Sequence, residues 1–268
     1  MNKTKKVALV TGASAGLGHE FAKQLAGQGC ELVLVARRDN VLDKIAAEIV
    51  ENWPGTLITT IKADLSEPSA PREIFDELLE LGISPNYLIN NAGSAGPDFF
   101  DEIPWEEHLN YMTLMQTSVA EMCHRFIPKM LSKKFGRVIN VSSVAGRISR
   151  AGDCHYGPMK AYLVALSEAL NASTHNHGVN VSALCPGFTH TDFHQVGDLE
   201  EMKEKTPKFI WYSAQTVVEE GLRAVEKGRS IQVSGRLYRW IDPLFQSVWT
   251  RKILSLIHIS EPTRRLRI

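Results

Sequence analysis

Apolar and polar positions follow two alternating periods along most of the chain. Short β-branched runs predict strands at residues 6–11, 31–36, 56–61, 87–89, 137–141 and 179–184. Between these runs, apolar residues recur every three or four positions, which predicts helices ending near residue 25, over 43–50, 74–81 and 105–131, and from 155 past 170. This alternation of strand and helix favours an α/β fold, with a parallel sheet covered on both faces.

The C-terminal region shows one more amphipathic pattern. Asp242 and Pro243 resemble a helix start, with a capping carboxylate and a proline in the first turn. One apolar face would then be formed by Leu244, Phe245, Val248, Trp249 and Ile253. We expect this face to dock on the domain or to contact a second subunit in a homodimer or homotetramer. Contact with a membrane surface is the less favoured alternative.

Composition narrows the class of protein. The 268 residues are 44% hydrophobic and 22% charged, with zero formal net charge, which suits one large α/β domain. The charge balance gives no reason to expect a nucleic-acid partner. Four scattered cysteines are best explained as free thiols, and no apolar run approaches the roughly 20 residues that span a bilayer. We therefore expect a cytoplasmic protein.

The first predicted strand runs directly into a glycine-rich turn. Gly12, Gly16 and Gly18 are spaced G-x-x-x-G-x-G, with Ser14 and Leu17 between them, and a helix follows. Glycines allow a tight turn in which backbone amides approach a phosphate, and the positive end of the helix dipole favours its charge. The strand, turn and helix together predict a dinucleotide site.

The end of the second strand bears on the choice of cofactor. Dinucleotide-binding folds commonly place an acidic residue there to bind the ribose hydroxyls. Here the position holds Ala36, followed by Arg37 and Arg38. Guanidinium groups suit a ribose 2′-phosphate, so we expect NADP(H) rather than NAD(H). The alternative is that both arginines are solvated loop charges.

Three side chains near the middle of the chain form a candidate catalytic set. Ser143 follows a predicted strand, and Tyr156 and Lys160 lie four residues apart, one turn from each other on a helix. A free tyrosine has a pKa of about 10, and a nearby cation favours the phenolate. Ser143 can then hold a substrate oxygen while Tyr156 exchanges a proton with it. By itself, the Tyr-x-x-x-Lys spacing is more often only a helix face.

The motifs together resemble those of the short-chain dehydrogenase/reductase family, from Lys5 to about Ile253. The matching residues are Thr11, Gly12, Gly16, Leu17, Gly18, Asp64, Asn90, Asn91, Ala92, Gly93, Ser143, Tyr156, Lys160, Pro186, Gly187 and Thr191. The resemblance implies a single doubly wound, Rossmann-like domain with a parallel sheet of about seven strands. It also implies hydride transfer between a nicotinamide cofactor and a carbonyl or alcohol. A lipophilic ketone or a 3-oxoacyl group is the expected substrate.

The same resemblance implies roles for individual residues. The glycine turn would meet the pyrophosphate and the adenosine ribose through Gly12, Ser14, Gly16, Leu17 and Gly18. Asp64 would meet the adenine and Asn91 would lie on the adenosine side, while Lys160 would contact the nicotinamide ribose. Pro186 and Gly187 would lie by the carboxamide, and Thr191 belongs to the same cofactor motif.

Met115 departs from the family pattern. Family members usually carry an asparagine at this position, which supports a water that passes protons to the lysine. If the backbone carbonyl holds that water, Met115 preserves much of the relay; if the amide is needed, turnover is slow. The leading hypothesis is a working enzyme, and its rival is an NADP(H)-binding regulatory protein with little turnover. A sugar-nucleotide epimerase is weaker, because the chain has little room for a separate substrate domain.

Two further segments complete the sequence-based expectations. Residues 188–212 are rich in aromatic and aliphatic side chains, which suits a lid over a lipophilic substrate but equally suits ordinary packing. His190 and His194 lie four apart but lack the glutamate of a zinc helix, so no metal site is predicted.

The last residues, 254–268, resemble no part of the family. Their sequence looks like the in-frame translation of a sequencing adapter. We interpret them as a read-through tail that replaces the natural C-terminus, so the expected domain covers residues 1–253.

Overall fold

A parallel sheet of seven strands forms the centre of the protein. The computed structural model describes residues 6–149, 152–190 and 210–247. The strands are β1 (Val7–Thr11), β2 (Glu31–Ala36), β3 (Ile58–Lys62), β4 (Tyr87–Asn90), β5 (Gly136–Val141), β6 (Val179–Cys185) and β9 (Ile231–Val233). Their spatial order is β3-β2-β1-β4-β5-β6-β9. Two short strands, β7 (Thr189–His190) and β8 (Tyr212–Ser213), pair separately.

Helices cover both faces of this sheet. They are α1 (Gly16–Gly27), α2 (Asp39–Asn52), α3 (Ala70–Glu80), α4 (Trp105–Met112), α5 (Ser118–Ser132), α6 (Tyr156–Thr174), α7 (Ala214–Glu226) and α8 (Arg236–Gln246). The buried residues of α1, α2 and α7 share one apolar cluster, and those of α3 and α5 share another. The expected doubly wound α/β fold with seven parallel strands is confirmed.

Side-chain alternation explains why the central strand β1 is buried along its whole length. In β1, Ala8 and Val10 pack into one cluster, whereas Val7 and Leu9 pack into the other. Successive side chains point to opposite faces of a strand, so a strand covered on both sides needs apolar residues at every position. Every residue of β1 and all but the first residue of β2 are buried, which meets this condition. In β3, by contrast, Thr59 and Thr60 are half-buried and Lys62 is exposed.

The predicted helix over 105–131 is interrupted. A π-helical turn, Thr113–Thr117, separates α4 from α5, and the backbone N–H of Ser118 donates to the Thr113 carbonyl five residues earlier. Such turns insert one extra residue into the helix and occur frequently at functional sites. Apolar periodicity detects the helix on either side but not the widened turn between, which contains Met115.

The predicted helix start at Asp242 and Pro243 is wrong. Helix α8 begins at Arg236, after Gly235, whose φ is +91°, and both residues lie inside it. The Asp242 carboxylate forms an ion pair with Arg147 rather than capping a helix. A tertiary contact has therefore outweighed a local capping preference. The apolar pattern also predicts neither α7 nor β9.

Several expectations concern residues outside the described part of the chain. These are the domain limit at residue 253, the tail over 254–268, and the apolar positions Val248, Trp249 and Ile253. They stay predictions. Among the helices that the structure describes, none has the length and apolar character needed to cross a bilayer.

Candidate active site

An open cavity of about 540 Å³ lies where the central strands end. Its walls come from the segments that directly follow β1 to β6, at the carboxyl edge where doubly wound folds bind their ligands. The predicted site residues that line it are Gly12, Ser14, Gly16, Leu17, Arg37, Arg38, Asp64, Asn91, Ser143, Tyr156, Lys160, Pro186 and Gly187. Gly18 lies beneath the turn, and Thr191 lies outside the described residues. The structure thus brings all the predicted site residues except Gly18 and Thr191 into one cavity.

The glycine turn needs its glycines for two separate reasons. Gly12 and Gly16 adopt φ values of +63° and +56°, a region that side chains disfavour. A Cβ on Gly18 would lie 2.1 Å from the carbonyl oxygen of Gly12, so no larger residue fits there. The turn therefore keeps its backbone bare toward the cavity and places the start of α1 against β1. Such a turn leaves room for a dinucleotide phosphate, whose binding here stays a prediction.

Asn91 fixes the glycine turn through hydrogen bonds to its backbone. Its side-chain Nδ2 donates to the carbonyl oxygens of Thr11 (3.0 Å) and Gly12 (3.2 Å). Thr11, which opens the glycine motif but for which the sequence predicted no role of its own, adds a second link. Its hydroxyl accepts from the N–H groups of Asn91 (2.9 Å) and Ala92 (3.0 Å) and donates to Ile89. A polar residue ending an apolar strand is the signal that could have identified it.

The two arginines after β2 lie beside the glycine turn. The Arg38 Nη2 donates to the Ser14 hydroxyl at 3.3 Å. Arg37, which is exposed like Arg38, lies 3.8 Å from the Asp64 carboxylate. Burial acts to raise the pKa of Asp64, but hydrogen bonds from Ser66 and the charge of Arg37 outweigh it and hold the pKa below its ordinary value. The carboxylate is therefore ionised at neutral pH.

Ser143 and Lys160 are positioned by the end of β5. The Ser143 hydroxyl accepts a hydrogen bond from the Ala145 N–H at 3.1 Å, which opens a short 3₁₀ turn, Val144–Arg147. The Lys160 Nζ donates to the Val141 carbonyl oxygen at 2.8 Å and lies 5.6 Å from the centre of the Tyr156 ring. The Ser142 hydroxyl donates to the Lys160 carbonyl oxygen. Strand end and helix start are thus joined at the candidate catalytic residues.

Burial changes the chemistry of Lys160. Only 5% of the residue is exposed, and desolvation lowers the pKa of its ammonium from 10.5 to about 8. The cation is still the main form at neutral pH, close to the phenol ring.

The N-terminus of α6 is held by two polar contacts. The Asp153 carboxylate accepts from the Gly157 N–H at 2.7 Å, as a capping group does. The buried ring of His155 meets His108 of α4, with 3.1 Å between Nε2 and Nδ1. Burial and the charge of His108 lower the pKa of His155. Tyr156 therefore begins a helix whose first turn is fixed to its neighbours.

Met115 lies in the wall of the same cavity. The residue is 1% exposed and packs with Tyr111 and Met159 next to Tyr156. A Cβ on Gly93 would lie 3.1 Å from the Met115 sulfur, so the thioether fills the space beside the Asn91-Ala92-Gly93 segment. The apolar side chain of Met115 thus occupies the position at which the resemblance implies an asparagine.

The end of β6 completes the cavity. The Val144 N–H donates to the Pro186 carbonyl oxygen at 2.9 Å, which ties the Ser143 turn to the Pro186-Gly187 segment. His190 is described, whereas His194 is not. Within residues 6–149, 152–190 and 210–247, no cluster of three histidine, cysteine, aspartate or glutamate side chains is arranged to hold a metal ion.

The fold and the cavity define a doubly wound oxidoreductase. The family profile described as short chain dehydrogenase matches residues 6–201. The chain belongs to this family, whose members use nicotinamide cofactors and act on small-molecule substrates.

Individual relatives agree with this assignment. The chain is 28% identical over 192 residues to a 3-oxoacyl-(acyl-carrier-protein) reductase from Escherichia coli, covering 72% of this chain and 77% of that protein. A short-chain dehydrogenase from Sphingobium yanoikuyae in complex with NADPH is 27% identical, with a TM-score of 0.78 over 97% of this chain and 99% of that one. A bulky-bulky ketone specific alcohol dehydrogenase from Comamonas testosteroni is 25% identical, with a TM-score of 0.76 over 99% and 100%.

Proposed function

We propose that the protein is an NADP(H)-dependent reductase of a lipophilic ketone or 3-oxoacyl group, with Tyr156 as its general acid and base. The observation that carries this proposal is the convergence of Ser143, Tyr156 and Lys160 on the cavity that also contains the glycine turn. A dinucleotide bound along the turn would then end beside the three side chains that a carbonyl reduction requires.

Each of these three residues has a distinct task. The Ser143 hydroxyl donates a hydrogen bond to the substrate carbonyl oxygen and so fixes its direction. The Tyr156 phenol gives its proton to that oxygen as negative charge develops there. The Lys160 cation stabilises the phenolate that is left behind. When bound, the reduced nicotinamide supplies the hydride that the carbonyl carbon accepts.

The case for NADP(H) rests on charge at the end of β2. Arg37 and Arg38 both line the cavity, and Arg38 reaches the Ser14 hydroxyl of the glycine turn. The segment from Ala36 to Arg38 offers a ribose 2′-phosphate two cations and no carboxylate of its own. The Sphingobium yanoikuyae relative is described in complex with NADPH, which agrees with this preference.

The case for a lipophilic substrate rests on aromatic side chains next to residues that line the cavity. The ring of Phe188 stacks on Trp211, with centres 5.1 Å apart, at the base of the segment predicted to close over substrate. A second aromatic side chain, Phe99, is 47% exposed, and its ring centre lies 5.7 Å from that of His155, the residue before Tyr156. Apolar surface of this kind favours an apolar ligand. The two relatives named for a 3-oxoacyl and a bulky ketone substrate belong to the same chemical class.

The test is NADPH oxidation with a panel of ketones of graded size and polarity. We expect turnover with wild type and a loss of about a hundredfold or more in kcat for Tyr156→Phe, because the phenol proton is removed. Tyr162→Phe makes the same change on the same helix, away from the cavity, and should keep wild-type rates. The proposal fails if Tyr156→Phe keeps wild-type rates, and its lipophilic part fails if small polar ketones are turned over faster than long-chain ones.

A regulatory protein with little turnover is the second candidate function. The observation that favours it is Met115, whose buried thioether cannot replace an amide in holding a relay water. A regulatory protein would also keep Ser143, Tyr156 and Lys160 if these residues served only to bind the cofactor. Tight NADPH binding without oxidation of NADPH by any ketone of the panel would establish this alternative.

A further inference from the structure

An ion pair joins the Ser143 turn to helix α8, far away in the sequence. The Arg147 guanidinium meets the Asp242 carboxylate with two parallel hydrogen bonds, Nε to Oδ1 and Nη2 to Oδ2, each 2.8 Å long. The side chains are only 12% and 18% exposed. A bidentate pair of this kind fixes orientation as well as distance, and partial burial reduces its screening by salt.

Arg147 is rigidly connected to Ser143. It ends the 3₁₀ turn that Ser143 caps, and the Gly146 N–H donates to the Ser143 carbonyl oxygen at 3.0 Å. A Cβ on Gly146 would lie 2.6 Å from the carbonyl carbon of Lys160, so the turn rests directly on the backbone of α6. A shift at Arg147 would therefore be passed to Ser143 within one turn.

Helix α8 holds this turn and the opposite wall at the same time. The Gln246 Nε2 donates to the Arg147 carbonyl oxygen at 2.6 Å, which adds to the contact of Asp242. On the other side, the Tyr238 hydroxyl accepts from the Phe188 N–H at 3.3 Å, and its ring packs on Gly187. One helix thus braces both segments that flank the candidate catalytic tyrosine.

From these contacts we propose that Arg147 and Asp242 form a positioning pair, which holds the Ser143 turn of the active site through helix α8. The pair touches neither substrate nor cofactor and acts through Ser143. Loss of the Asp242 charge frees the C-terminal end of the turn, and the Ser143 hydroxyl then samples positions away from the substrate oxygen. The catalytic part of this inference rests on the proposed function, whereas the structural part does not.

The test uses the full chain with one altered side chain. Asp242→Asn removes the charge and keeps the shape. Glu220→Gln is the matched control, because Glu220 of α7 forms an ion pair at 2.9 Å with Arg239 of α8, the helix that also carries Asp242. Two properties are measured: hydrogen exchange of peptides that cover residues 142–149, and kcat and KM with NADPH and the best ketone.

In Asp242→Asn we expect exchange over residues 142–149 to become about tenfold faster, because the turn loses one of its anchors. We expect kcat to fall about tenfold, because a small displacement of the Ser143 hydroxyl is sufficient to slow the reaction. The KM for NADPH should stay within about twofold of wild type. The reversed pair, Arg147→Asp with Asp242→Arg, should recover part of both effects. Glu220→Gln should change neither.

Unchanged exchange in Asp242→Asn would overturn the proposal. So would faster exchange with a wild-type kcat, because the pair would then only stabilise the fold. An equal loss of kcat in Glu220→Gln would also count against it, since any weakening of α8 would then suffice. If wild type oxidises no NADPH with any ketone, the proposed function fails, and the exchange result alone decides whether the pair holds the turn.

Discussion

At the scale of single residues, the site depends on charged groups whose surroundings differ. Lys160 is buried and close to Tyr156, whereas Arg37 and Arg38 are near the surface at the other end of the cavity. Burial lowers the pKa of the lysine, but an exposed guanidinium stays fully charged and can attract an anion from solution. In the proposed function, the buried lysine serves the proton transfer and the exposed arginines serve the binding of a phosphate.

The lowered pKa of Lys160 has a consequence for stability. The ammonium of Lys160 has a pKa near 10.5 in the unfolded chain and a pKa of about 8 in the folded protein. The free energy of unfolding should therefore rise as the pH increases from about 8 to 10.5, with the full cost of the buried charge present below pH 8. The total change is roughly 3 kcal/mol. Denaturant titrations across this pH range, compared with Lys160→Met, should show a slope that the variant lacks; parallel curves would contradict it.

The cofactor preference can be tested at Arg38. In Arg38→Ala we expect the dissociation constant of NADPH to rise about tenfold to a hundredfold, because a charge-assisted contact to the 2′-phosphate is lost. The affinity for NADH, which lacks that phosphate, should stay nearly constant. Isothermal titration with both cofactors measures the difference, and Arg72→Ala, an exposed arginine on α3, serves as the control. An equal loss for both cofactors would contradict the predicted role.

At the scale of elements, the π-helical turn between α4 and α5 is the most informative departure from the sequence pattern. The apolar residues on both sides keep a helical spacing, so periodicity alone predicts one continuous helix. The extra residue of the turn is stabilised by contacts distant in sequence: Met115 packs against Met159 of α6 and beside Gly93. Such a feature is decided by packing between elements and leaves little trace in local spacing.

Met115→Asn tests whether this turn needs an amide. We expect kcat to stay within about threefold of wild type, because the backbone of the widened turn is retained. The free energy of unfolding should fall by about 1–3 kcal/mol, since a polar group replaces an apolar one in a buried cluster. Steady-state kinetics and chemical denaturation measure the two effects, with Met115→Leu as a control that keeps the packing. A rise in kcat of about tenfold or more would favour the regulatory alternative.

At the scale of the whole molecule, the order of the strands makes the site. The chain winds outward from β1 through β2 to β3, then returns to place β4 on the other side of β1. At this reversal the segments after β1 and β4 separate, and Gly12 meets Asn91 across the gap. The turns after β5 and β6 extend the same edge toward Tyr156. This strand order brings motifs that are far apart in the sequence together in one cavity.

The apolar strands, the glycine turn, the cations after β2 and the three catalytic candidates were all recognisable from neighbouring residues. Periodicity and local motifs depend on interactions over a short range of sequence, so a short window contains the whole signal. Three features became visible only in the folded protein: the start of α8 at Arg236, the pairing of Arg147 with Asp242, which are 95 residues apart in the sequence, and the π-helical turn that contains Met115. Contacts between distant segments carry free energies that rival local preferences, and no window of neighbouring residues contains both partners.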